Sequence, residues 1–321
     1  MKIPFLIDTD TASDDAVALI MALRHPHIDV RAITTVAGNV AVEQAARNAL
    51  YVTELCERET PVYVGAAKPL RRAHVPADWF HGKDGLSDRG YVPQRREPEK
   101  LHAVDAIIQA VEANPGIVIV TIGPLTNLAL ALHMRPELAR NVSRFIIMGG
   151  NPCCEGNVTP AAEYNIWCDP EAARAVVRSA LPVELVGWHL CRAEAVLTPA
   201  EIQQVLGFRN SVASFAVECN AAAIAAYRTQ TGEHGLSLPD PVAMAIAIDP
   251  SVVTSHSEHY IDVETQSELT RGMTVVDRLN VVHDARNREV WRQQIATPRK
   301  ARIDWRIDNQ RWKNLLYSLL R

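Results

Sequence analysis

A chain of 321 residues, 48 % hydrophobic and 22 % charged, can bury a sizeable core and has the make-up of an ordinary globular protein. Its formal net charge of −4, from 33 basic and 37 acidic residues, sets up no global field toward nucleic acid or an anionic membrane, so the expected partners are small molecules or copies of itself. Cys56, Cys153, Cys154, Cys168, Cys191 and Cys219 show no CxxC pairing or regular zinc-ligand spacing, no stretch approaches the about 18 apolar residues of a membrane span, and the N-terminal apolar run is too short for a signal peptide; reduced thiols and a cytoplasmic location are expected.

In chain order, short apolar or β-branched runs alternate with helical patterns. "IPFLID" reads as a strand followed by a helix from Asp14, "VRAITTV" precedes "VEQAARNALYVTELC", and "GIVIVTIG" precedes "LTNLALAL". "RFIIMGG" and "VELVGW" read as further strands. This rhythm predicts an α/β fold over 1–321: a single-domain, open, mostly parallel central sheet flanked by helices, Rossmann-like, with ligands at the carboxyl ends of the strands. Three long loops, Lys68–Pro98, Gly149–Asp169 and Arg228–Pro239, are candidate binding loops. Beyond Pro250, "VTSHSEHYIDVE" and "MTVVDRLNVVHDA" predict small antiparallel edge strands, and "DNQRWKNLLYSLLR" predicts a helix capped by its Asp.

The segment "DTDTASDDAVALIMAL" places Asp8, Asp10, Asp14 and Asp15 between two apolar runs. Acids in a first helical turn are ordinary, and that accounts for Asp14 and Asp15 but not for Asp8 and Asp10. With the strand continued to Asp10, the two-residue period sets Asp8 and Asp10 on one face, and all four carboxylates converge at its end. Converging carboxylates repel unless a cation neutralises them, and an all-oxygen set favours Ca²⁺ or Mg²⁺ over zinc. An EF-hand does not fit, because Ser13 and Leu19 stand where it needs Gly and Glu. A DxDxT phosphatase would need Thr at Ala12.

"DTDTASDDA" resembles the N-terminal DxDxxxDD signature of the inosine-uridine-preferring nucleoside hydrolases. "TTVAGN" (34–39), "TIGPLTNLALAL" (121–132), "IIMGG" with "GNVTPAAEYNIWCDPEAA" (156–173) and "VETQSELTRGMTVVD" (263–277) are similar to family segments in family order. The resemblance implies the open α/β nucleoside hydrolase fold, a Ca²⁺ in the pocket floor, and hydrolysis of a ribonucleoside's N-glycosidic bond. It makes Asp10 the base toward a metal-bound water, and Asp10, Asp15, Asp240 and the Thr126 carbonyl the metal shell. It assigns Asp14, Asn39, Asn157, Glu163 and Asn165 to the ribose and Met148 to the pocket lining. A homodimer or homotetramer is also implied.

Two features depart from the family pattern. Pro239 stands where most purine-active or broadly active members carry a His before the last metal-binding Asp, and proline cannot donate a proton. "VELVGWHLCRAEAVLT" replaces a "DVT"-like segment, and Trp188 and His189 read as core packing at a strand end. His81, in "WFHGKDGLSD", sits in a segment like the family's first mobile loop and is the candidate acid near the leaving base, with Tyr227, Arg228 and His234 as further candidates. Pro124 and Asp169 read as ordinary helix-start residues. The competing functions are a catalytically weak or dead nucleoside-binding homologue and a metal-dependent phosphoester hydrolase, though "TASDD" offers no phosphate ligand.

Overall fold

The computed structural model describes residues 2–296 and 299–321. The apolar runs form strands, in chain order β1 (Ile3–Thr9), β2 (Ile28–Thr35), β3 (Val62–Val64), β4 (Ile117–Thr121), β5 (Val142–Met148), β6 (Val183–Val186), β7 (Val253–His259), β8 (Ile261–Val263), β9 (Thr274–Val276) and β10 (Ala301–Ile307). Eight of them make one sheet in the order β3-β2-β1-β4-β5-β6-β10-β7, parallel except where β7 runs against β10. β8 and β9 form a separate antiparallel pair.

Strand order reverses between β1 and β4, so connections leave these neighbours in opposite directions and open a crevice beyond their carboxyl ends. Alternation along β1 sends Phe5 and Ile7 to one core and Leu6 to another. The first core takes the helices Ser13–Arg24, Pro239–Ile248 and Asn309–Leu320, and the second takes Ala103–Ala113, Thr126–Met134 and Pro170–Val177. Ser13–Arg24 is buried along nearly its whole length and packs on Pro239–Ile248, as two almost wholly apolar helices require. Two acid-bearing helix starts are thereby brought to one place.

Most elements fall where the sequence puts them, including the Asp308 side chain, which accepts from Arg311 N at 3.0 Å. Others differ. β10 was missed although "ARIDWRI" alternates apolar and charged residues as a half-buried strand does; Ile303 and Asp304 are both buried, and Arg302 meets Asp304 at 2.9 Å. β3 is too short for a periodic signal. Only Thr274–Val276 of "MTVVDRLNVVHDA" is a strand, and "VTSHSEHYIDVE" divides between the sheet edge and the small pair. The expected loop from Arg228 is helical to Thr231, since the helix Ala221–Thr231 closes on Gly232 in the left-handed conformation. All six cysteines are free thiols. Among the described residues no helix is long and apolar enough to cross a membrane.

Arg144 of β5 ties the far end of the second acid-bearing helix to the sheet. It donates to Glu184 at 2.9 and 3.0 Å, and to the Ala247 and Ile246 carbonyls at 2.9 and 3.2 Å. These are the last carbonyls of Pro239–Ile248, which lack intrahelical partners. Arg144→Ala leaves buried Glu184 short of its main partner and is expected to lower stability by about 2 to 3 kcal/mol, read as a denaturant midpoint shift. Arg144→Lys should recover only part of this, because an ammonium cannot reproduce the bidentate contact.

Candidate active site

β1 ends at Thr9, Thr11 turns the chain with φ of 21°, and the helix starts at Ser13. The turn is held by its own acids and hydroxyls: Thr9 Oγ1 donates to Asp15 Oδ1 at 2.5 Å, Ala12 N donates to Asp15 Oδ2 at 2.9 Å, and Thr11 N donates to Thr9 Oγ1 at 3.0 Å. Asp10 is left projecting at the strand end. Its Oδ2 accepts from Asn39 N at 2.5 Å, while buried Oδ1 has no hydrogen-bond partner. Backbone crowds this carboxylate on two sides, since a Cβ on Gly38 would stand 2.1 Å from Asp10 Oδ2 and one on Gly123 2.8 Å from Asp10 Oδ1. Glycine is required at both positions by contact alone.

Asp14, Asp15 and Asp240 bring one oxygen each within 4.8 Å of one another, all buried. Asp240 arrives from the first turn of Pro239–Ile248. Burial, then the charges of Asp14, Asp15 and Asp10, raises the Asp240 pKa well above the carboxylate range. Burial and the Asp15 and Asp14 charges likewise raise Asp10. Burial raises Asp14 to about 6, with neighbouring His81 opposing and Asp15 adding to the shift. Among the described residues the only basic side chain within ion-pair range of these four acids is His81, 3.9 Å from Asp14. Hard oxygen donors, orphaned oxygens on Asp10 and Asp14, and uncompensated repulsion together fit a divalent cation of the Ca²⁺ or Mg²⁺ kind.

The walls come from the segments after β3, β5 and β6. Glu163 caps the short helix Tyr164–Cys168, accepting from Asn165 N and Gly150 N, each at 2.8 Å. Burial nevertheless pushes its pKa up to about 7, and the Asp14 charge contributes. Asn165 Nδ2 reaches the Ile122 and Met148 carbonyls at 3.2 Å each, bridging the ends of β4 and β5. Asn157 Oδ1 accepts from Tyr164 N at 2.9 Å, and its carbonyl accepts from Gln230. Ala77, Trp79, Phe80, Tyr164 and Trp188 line a small, mainly apolar recess beside Asn157.

His81 is not a solvated loop residue: it is buried, Ser13 Oγ lies 2.8 Å from its Nδ1, and burial lowers its pKa against the pull of Asp14. Asn39 and Asn157 both have negative φ, so neither is a left-handed turn residue. Trp188 is buried as expected but also lines the recess, in a 3₁₀ turn beyond the end of β6.

Other expectations are corrected. Asp8 does not converge with its neighbours. It points toward the second core, where Thr34 Oγ1 and Asn127 Nδ2 donate to its Oδ2 at 2.6 and 2.8 Å, because the strand stops at Thr9 and the chain turns before Asp10. Pro124 precedes the N-cap Leu125 and is not at the first helical position; its ring packs where a Gly38 side chain would be. Asp169 does cap its helix through Ala172 N at 3.0 Å, yet it also accepts from Thr126 Oγ1 at 2.7 Å, so the Thr126 hydroxyl turns to Asp169 and only its backbone carbonyl is left for other partners. The Tyr227 hydroxyl is engaged by Glu233, and Arg228 and His234 are exposed. Ser13 and Gln230 were missed. Ser13 stands inside the acidic signature, which was a usable signal, whereas nothing in the sequence marks Gln230.

Residues 5–311 match the family model described as inosine-uridine preferring nucleoside hydrolase. A pyrimidine-specific ribonucleoside hydrolase, RihA, of Enterobacter sp. (strain 638) is 36 % identical over 280 residues, covering 86 % of this chain and 88 % of the relative. Among solved structures, the plant nucleoside hydrolase PpNRh1 superposes with a TM-score of 0.90 at 32 % identity, covering 100 % of this chain and 99 % of that one. A purine-preferring ribonucleoside hydrolase from Gardnerella vaginalis gives a TM-score of 0.88 at 30 % identity, covering 99 % and 98 %.

The acids dictate how the metal-free protein responds to pH. Folded-state pKa values lie above unfolded ones, with Asp8 and Glu163 at about 7 and Asp14 at about 6, so from the ordinary carboxylate range to neutrality the folded state holds protons that the unfolded chain has released. Stability must therefore fall as pH rises through that window. In excess chelator, Tm is expected to decline from about pH 5 to about pH 8. A Tm that climbs over this interval would contradict the assignment.

Proposed function

We propose, from the premise that the chain belongs to the inosine-uridine preferring nucleoside hydrolase family, that it hydrolyses the N-glycosidic bond of ribonucleosides to free base and ribose in a Ca²⁺-dependent reaction. The observation that carries this reading is the buried acidic floor at the β1/β4 switch point, with no Lys or Arg paired to it among the described residues. Breaking the bond develops oxocarbenium charge on the ribose, and anionic groups beneath the ring stabilise it. Phosphoester chemistry would ask for basic groups at the same place.

Asp10 is the base: Asn39 N–H anchors Oδ2, and unpartnered Oδ1 takes a proton from the attacking water. Asp10, Asp15, Asp240 and the Thr126 carbonyl hold the cation, and Asp14 accepts from a ribose hydroxyl. When bound, Ca²⁺ neutralises the cluster and orients the water and the ribose diol. Asn39, Asn157, Glu163 and Asn165 hold the ribose and its 5′-hydroxyl, and Met148 lines the pocket. His81, against Asp14 and Ser13, is the acid toward the leaving base, and Tyr227, its hydroxyl engaged by Glu233, contacts the base without protonating it. The same reading has the protein act in the cytoplasm as a homodimer or homotetramer on a small-molecule ribonucleoside.

Free ribose release from a panel of ribonucleosides, with and without chelator, tests the reaction and its metal dependence. Asp10→Asn is expected to lower kcat by roughly 10²-fold or more with ligand binding retained. Asp240→Ala should purify without its equivalent of Ca²⁺ by elemental analysis; a full equivalent there would refute the shell.

Pro239 is the first residue of its helix and leaves no acid at that position. p-Nitrophenyl riboside is expected to be cleaved well and inosine poorly, because a better leaving group needs less proton transfer, and a missing acid is usually worth about 10² to 10⁴ in rate. Comparable kcat/KM values would mean that another acid serves. Selective loss of inosine cleavage in His81→Ala would identify it.

A further inference from the structure

His74 lies in the Lys68–Pro98 loop, half-buried, with Nε2 2.6 Å from the Gly38 carbonyl oxygen. A carbonyl only accepts, so Nε2 carries the proton and donates. Among the described residues no backbone N–H donates to that carbonyl. Gly38 C=O and Asn39 N–H are opposite ends of one planar peptide, and that N–H is the one donated to Asp10 Oδ2 at 2.5 Å. The imidazole, the peptide and the carboxylate thus form a single chain of hydrogen bonds.

We infer that His74 is a positioning residue for Asp10, acting through the Gly38–Asn39 peptide; this rests on the role proposed above for Asp10. Two effects run along the chain. Donation to the carbonyl polarises the peptide and strengthens its N–H as a donor, as in other hydrogen-bond chains of low local dielectric. It also fixes the tilt of the peptide plane, and so the direction from which Asp10 is held. That tether is needed because position 38 must be glycine: a Cβ would stand 2.1 Å from Asp10 Oδ2, and glycine's own φ and ψ are the least restrained of any residue. The flanking backbone is pinned independently, by Val36 N to Thr9 O at 3.1 Å, Ala37 N to Ala66 O at 2.9 Å and Ala77 N to Asn39 O at 2.9 Å. Removing the imidazole should leave the turn folded and free only this peptide. Three residues beyond His74, the same loop donates Ala77 N to the turn, and it goes on to His81, so one segment steadies the base and carries the candidate acid.

The test compares His74→Leu, which has no donor, with His74→Gln, which keeps an N–H within reach. With p-nitrophenyl riboside and the Ca²⁺-loaded protein, His74→Leu is expected to lower kcat about 10-fold with KM within about 2-fold, and His74→Gln to restore most of the loss. Placed on Asp10→Asn, His74→Leu should add no further loss. Independently of activity, the Asn39 amide proton in ¹H–¹⁵N spectra should lie far downfield, move upfield in His74→Leu and return in His74→Gln. Wild-type kcat in His74→Leu, equal loss in both variants, or an unmoved Asn39 resonance would overturn the inference. If no form of the protein cleaves any riboside, the hydrolase reading fails, and the Asn39 resonance still decides whether His74 reaches Asp10.

Discussion

Asp14, Asp15 and Asp240 bring carboxylate oxygens together out of reach of bulk water with Asp10 close by, and burial together with the neighbouring charges makes Asp10 and Asp240 costly to ionise. A chain selected only for stability would put apolar side chains there, since a buried charge without a partner is among the most expensive things a fold can contain. The surrounding structure is built to hold the repulsion in place. β1 is flanked on both edges by parallel partners, and both acid-bearing helices are almost wholly buried, so the carboxylates cannot relieve their repulsion by swinging into solvent. The strain is retained until something cationic arrives.

Close approach of backbone to carboxylate is the second consequence. Asp10 sits between Gly38 and Gly123, which belong to the segments following β2 and β4, the two neighbours of its own strand. Any side chain at either glycine would push the carboxylate away. The crevice at the switch point therefore supplies a fixed seat for this carboxylate as well as an opening.

The floor of the site was legible in the sequence because its residues fall in short contiguous signatures. The acids from Asp10 to Asp15 follow an apolar strand, and "AGN" and "GPLTN" follow two others. What was misread shows the limit of periodicity. Asp8 and Asp10 share a strand face only while the strand continues; the pleat points Asp8, like Leu6, to the side of Thr34 and Asn127, where it serves the sheet, and the turn after Thr9 takes Asp10 elsewhere. β10 was readable, since "ARIDWRI" alternates apolar and charged residues; what hydropathy could not register is that Asp304 is buried, because Arg302 accompanies it as a partner. Gln230, at Asn157, was invisible for another reason: its contact joins segments 73 residues apart through a side chain with no chemical signature.

The walls obey a different logic from the floor. Arg192, just past the 3₁₀ turn after β6, pairs with Glu155 of the loop after β5 and lies 3.9 Å from Glu233, which also takes the Tyr227 hydroxyl. Loop, turn and helix end are joined here by partly exposed ion pairs, which hold far more weakly than a packed core and are screened by salt. A Tyr227 hydroxyl committed to Glu233 is not free to protonate a leaving base, and burial with the Glu233 charge raises its pKa to about 12, which makes it a poor acid besides. His81 is placed differently, buried beside Asp14, with Ser13 fixing one ring nitrogen. His81 is thus tied directly to the acidic floor, whereas the residues of the mouth are held to one another by weaker, partly exposed pairs.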